Sequence, residues 1–164
     1  MKNWHFKLLL SVMIGFMALG CSAIRAAETP PDESPFDALL ERILSVTQGW
    51  GELGINTAVR SANQPPVTLR IKDQEYSRGL GHHAAGEILV DLGGQFQTFQ
   101  AEIGIQWQGG NTSASVIFQI YADDKKVFDS GVVHENDPPQ PITVPVKGAE
   151  ILRLVAGDAG DGIS

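Results

Sequence analysis

The stretch "GEILVDLGGQFQTFQAEIG", residues 86–104, decides the fold. Ile88, Val90 and Leu92 fall at every second position, and after a Gly-Gly break Phe99, Ala101, Ile103 and Ile105 do the same against Gln100, Glu102 and Gln106. A period of two puts alternate side chains on opposite faces, so each run reads as a strand with one buried face. The pattern spreads in both directions. Upstream, Val67, Leu69 and Ile71 alternate with Thr68, Arg70 and Lys72; downstream, Val116, Phe118, Ile120 and Ala122 form another face. "YADDKKVF" turns through Asp123 and Asp124 into a paired strand, and "ITVPV" and "ILRLVA" add two more. Short strands separated by Gly, Pro, Asn and Asp, with no helix among them, predict an all-β antiparallel sandwich from Gly49 onward. Binding in such folds lies in loops and on sheet faces.

Before Gly49 the period changes. In "SPFDALLERILSVTQ", residues 34–48, Phe36, Leu39, Leu40, Ile43 and Leu44 share one helical face. Ser34 caps it, Pro35 suits its first position, and Asp37 sits in its favourable first turn. This amphipathic helix is expected to pack on the domain or on a partner. "AAETPPDES" ahead of it has the proline and charge of a spacer. The opening, "MKNWHFKLLLSVMIGFMALGCSAIRAAETPP", places Lys2 and Lys7 before the uncharged run Leu8 to Gly20 and then small residues, the layout of a secretory signal. That run is too short to span a hydrocarbon layer of about 30 Å. Cys21, the single cysteine, lies in "MALGCSA", which resembles a bacterial lipobox with Ala18 and Leu19 in the reverse of the favoured order. Lipidation at Cys21 and ordinary cleavage near Ala23 to Ala27 both remain open. The expected organisation is a signal at 1–27, linker and short helix at 28–48, and the sandwich at 49–164.

One cysteine excludes an intramolecular disulfide. The leader holds three of the twelve basic residues and none of the nineteen acids, so the remainder is strongly acidic. That balance argues against nucleic acid and anionic membrane surfaces as partners. Membrane association is expected only through a lipid on Cys21.

The adjacent histidines His82 and His83 stand in "RGLGHHAAG". Neighbours in an extended chain point to opposite faces, so they are poorly placed to share one ion; His5 and His134 are remote in sequence. No nucleophile elbow occurs, and pairs such as Glu87 with Asp91 or Glu102 are too common to signal a glycosidase. Either a ligand or the turn's own backbone claims the imidazoles. "GDAGDG" supplies Asp158 and Asp161 in a glycine loop, the oxygen-rich setting of a hard cation or simply a solvated turn.

"GWGELGINTAV", "YSRGLGHHAAGEILVDLGGQF", "FQAEIG", "VIFQIYADDKKVFDSGV" and "LRLVAGDAGDG" occur in that order. Together they closely resemble the NPCBM domains, carbohydrate-binding module family 51, over Gly49 to Ser164. The resemblance implies a jelly-roll sandwich that is non-catalytic, binds galactose-containing glycans, is usually appended to glycoside hydrolases and carries a structural calcium ion, for which Asp158 and Asp161 are the candidate ligands. The family's histidine in "GLGTH" falls on His83, with His82 where threonine is usual and Gly86 in place of serine. "IGIQWQ" replaces an acidic pair, which puts the familiar sugar preference in question and offers Trp107, beside "QGGNTS", as a stacking platform or a core residue. His83, Trp107, His82, Glu87 and Asn111 are the candidate ligand contacts. The family continues past "GDAGDG" into a closing strand, which this chain is expected to lack. The expected function is an exported module that tethers an enzyme or the cell surface to glycans. The alternative is a structural or protein-interaction sandwich that has lost sugar binding.

Overall fold

The computed structural model describes residues 5–10, 35–110 and 113–160; Cys21, Asn111 and Asp161 lie outside them. Beyond β1 (His5–Leu10) and α1 (Pro35–Leu40), the described chain is strands: β2 (Ile43–Thr47), β3 (Gly54–Ile55), β4 (Leu69–Ile71), β5 (Gln74–Tyr76), β6 (Leu80–Gly81), β7 (Gly86–Asp91), β8 (Thr98–Ile103), β9 (Ser115–Ala122), β10 (Lys125–His134), β11 (Gln140–Pro145) and β12 (Ile151–Asp158). A five-stranded antiparallel sheet in the order β10-β9-β12-β7-β2 faces a three-stranded sheet in the order β1-β8-β11. The pairs β3-β6 and β4-β5 form small ribbons.

The alternation predicted from the sequence sets what lies between the sheets. Ile88 and Val90 of β7, Leu152, Leu154 and Ala156 of β12, and Val116, Phe118 and Ile120 of β9 are buried, with Leu154 opposite both Ile88 and Ile120. Phe99, Ala101 and Ile103 of β8 and Ile142 and Val144 of β11 belong to the same core. Each large side chain so buried contributes roughly 1.5–3 kcal/mol, which is how a domain without a disulfide holds together. A second cluster of Ala58, Leu69, Ile71 and Tyr76 lies around the β4-β5 ribbon.

The helix departs from expectation. It ends at Leu40, where Arg42 N–H bonds back to the carbonyl of Leu39, and Ile43–Thr47 becomes β2, hydrogen-bonded to β7. Ile43 and Leu44 continue the helical spacing by coincidence. The β-branched Ile43, Val46 and Thr47 gain more from the open edge of β7 than from extending a short isolated helix. The sandwich therefore starts before Gly49. β1, within the predicted leader, pairs parallel along the outer edge of β8, His5 opposite Thr98 through Leu10 opposite Ile103.

Candidate functional site

β2 and the β6-to-β7 turn bring the two glycine-rich segments together at one rim of the sandwich. Gly49 N–H donates to the carbonyl of His83 at 3.2 Å, and His83 N–H reaches Gln48 Oε1 at 3.4 Å. The approach leaves no room for side chains. A Cβ on Gly49 would lie 2.5 Å from the Ala84 carbonyl oxygen, and one on Gly86 would lie 2.1 Å from that of Thr47. The peptide between Ala84 and Ala85 is cis. On this packed base stands Trp50, 48% exposed, its ring 6.0 Å from that of His83 in an edge arrangement at 60°. An exposed indole beside an imidazole suits a sugar: the ring's apolar face takes C–H groups, and the imidazole takes a hydroxyl.

The histidines are fixed by carbonyl oxygens. His82 Nε2 lies 2.7 Å from the carbonyl of Thr47, and His83 Nδ1 lies against that of Ala84. A carbonyl only accepts, so each of these nitrogens carries the hydrogen and donates. In a neutral ring the other nitrogen is then an acceptor: Nδ1 of His82 and Nε2 of His83. Nδ1 of His82 is buried without a partner among the described residues. Burial pushes the His82 imidazole below its ordinary value; the Thr47 bond opposes this and the neighbouring His83 charge adds to it.

The remaining predicted contacts fall elsewhere. Trp107 is half-buried, with the Arg70 guanidinium 4.0 Å from its ring centroid, so a cation already covers one indole face. The backbone N–H of Trp107 donates to the Arg70 carbonyl, and Gln106 Oε1 takes the Arg70 backbone N–H, which locks β4 to the Trp107 turn. Glu135, only 1% exposed, grips that turn from the other side by accepting the N–H groups of Gln108 and Gly110. Glu87 lies on β7 between Gly86 and the buried Ile88, and its carboxylate pairs with Arg153 at 3.4 Å. Asp158 ends β12, exposed, with Oδ1 accepting Gly160 N–H at 2.8 Å. Among the described residues no three His, Cys, Asp or Glu side chains cluster as a metal would require.

The sequence points to Trp107 where the structure exposes Trp50. Trp50 sits between two glycines in a segment without alternation, so nothing in the local pattern buries it; that was the available signal.

Residues 38–164 match the NPCBM/NEW2 domain. The CBM51 module from Clostridium perfringens GH95, solved with methyl-galactose, superposes with a TM-score of 0.66 at 30% identity, covering 74% of this chain and 85% of that one. CBM51-2 with the INT domains of Clostridium perfringens ZmpB, solved with GlcNAc, shares the fold at a TM-score of 0.67 and 22% identity, over 73% of this chain and 26% of that one. A Renibacterium salmoninarum protein named "Putative endo-alpha-N-acetylgalactosaminidase" is 28% identical over 142 residues, 85% of this chain and 9% of the relative. The chain thus spans about a tenth of that curated relative's length. The solved neighbours are binding modules, and the sandwich and the match over 38–164 agree: this chain belongs to the NPCBM/NEW2 family, the non-catalytic carbohydrate-binding modules of family 51.

Proposed function

We propose that the chain is an exported module that recognises galactose-containing glycans at the Trp50–His83 rim and tethers an enzyme or the cell surface to polysaccharide. The observation that carries this reading is the exposed Trp50 ring edge-on to His83, beside backbone packed so closely at Gly49 and Gly86 that no side chain fits there. Methyl-galactose in the GH95 module supports the choice of sugar. Trp50 supplies the stacking face, and His83 orients a hydroxyl through Nε2. Titration calorimetry of the full chain against galactose-terminated oligosaccharides, with a broad glycan array beside it, tests this. Trp50→Ala is expected to keep its melting temperature and to weaken binding at least tenfold, the loss of about 1.4 kcal/mol of stacking and apolar contact. A folded wild type that binds no glycan on the array overturns the reading in favour of a protein-interaction sandwich.

Calcium around Asp158 and Asp161 belongs to the same proposal, in a structural role. Asp158 brings one exposed carboxylate whose Oδ1 already serves the turn, so the described residues alone do not complete a cation site. Melting with and without EDTA decides it: an ion that binds only the folded state raises stability by about 2.7 kcal/mol at a hundredfold excess over its dissociation constant. An unchanged melting temperature rejects the ion.

A further inference from the structure

Behind the rim lies a cavity of about 300 Å³. The half-buried His82 and His83 and the exposed Gln108 line one part of it; buried Leu80, Val116 and Phe118 line another. Protein interiors are close-packed, and voids larger than a water molecule are few. An apolar cavity of about 150 Å³ already admits benzene and stays dry without it. This one has room for a larger organic group.

The lining states what that group is. Among the described residues it contains no carboxylate, lysine or arginine, so nothing in that lining favours a charged occupant. Most of it is aliphatic or aromatic carbon, and its polar members are two histidines and two glutamines. His83 belongs to both places, since its ring meets the edge of Trp50 and it also lines the cavity.

Resting on the glycan reading above, we propose that the cavity receives the apolar aglycone of the bound sugar, a short alkyl or aryl group in glycosidic linkage. The ligand class is then a hydrophobic glycoside and not a free sugar.

The test compares methyl and butyl β-galactoside by calorimetry on the full chain. Each methylene moved from water into such a site is worth about fourfold in affinity, so the longer ligand is expected to bind ten- to fiftyfold tighter. Ala114→Leu puts added bulk on a buried residue lining the cavity; it is expected to keep methyl-galactoside binding and lose the increment. Ala156→Val, on the cavity's β12 wall, serves the same purpose should Ala114→Leu fail to fold. Equal affinities of the two glycosides for the wild type overturn the cavity assignment and leave the glycan reading standing. Absence of binding by both overturns the two together. An increment that survives in a folded filling variant places the aglycone elsewhere and also overturns the assignment.

Discussion

His82 and His83 differ in what their free ring nitrogens meet. Nδ1 of His82 is buried with no partner among the described residues, and burial holds this imidazole below its ordinary value of 6.5. The unfolded chain therefore binds the proton more tightly than the folded one, so stability is full above about pH 6.5 and falls as pH drops through that value. Urea midpoints measured about one unit either side of it should show the decline, and His82→Gln should flatten it; equal slopes in the two proteins would remove the role assigned to burial. His83→Ala removes one hydrogen bond in a partly wet site, about 0.5–1.5 kcal/mol, and is expected to weaken glycan binding roughly two- to twelvefold. Tyr76 offers a contrary case. Its hydroxyl is buried without a partner among the described residues, and burial, with the Glu102 charge adding to it, pushes that group upward. Tyr76→Phe should melt at or above the wild-type temperature, and a loss beyond about 1 kcal/mol would show that the hydroxyl has a partner after all. Of these residues only the histidine pair stood out in the sequence. Trp50 and Trp107 both lie next to glycines or glutamines, and what separates them is Arg70, which comes from another strand to cover one ring and leaves the other open.

At the scale of elements, alternation was legible because burial imposes it: β7, β8, β9, β11 and β12 all follow the runs that the sequence displays. β3, β5 and β6 were not, since two or three residues carry too little periodicity to distinguish a strand from a turn. β2 was misread for a different reason. Its apolar residues happen to extend a helical stripe, and only the partner strand β7 decides between the two. Glu135 shows the same limit for a loop, because a buried acid after a strand gives no sign of which N–H groups it will accept. Glu135→Ala would leave Gln108 and Gly110 N–H groups without their carboxylate and is expected to cost about 1–3 kcal/mol in chemical denaturation. A change within experimental error would mean that water replaces the carboxylate freely.

For the whole molecule, the question is how each sheet protects its edges. β10 is broken by two register shifts and opens on Lys125 and Lys126, β2 carries a shift between Ile43 and Ser45, and β11 places Pro141 and Pro145 on exposed positions. These are the devices that discourage pairing with another chain. β8 has none of them: Thr98–Ile103 holds no proline, and its register against β11 is continuous. Its outer edge is instead covered by β1, a segment that the sequence assigns to the export leader. A chain starting at Glu28 would leave that edge with a row of unpaired N–H and C=O groups and a second sheet of β8 and β11 alone. Unless another strand takes the place of β1, such an edge is a template for intermolecular pairing. Sedimentation velocity over a concentration series should therefore show the shortened chain associating while the full chain stays monomeric. Adding a peptide of sequence HFKLLL should reverse the association, because it restores the pairing from Thr98 to Ile103. A shortened chain that remains monomeric throughout would show that β8 does not need a partner strand, and that the absence of proline and bulge on it has no bearing on assembly.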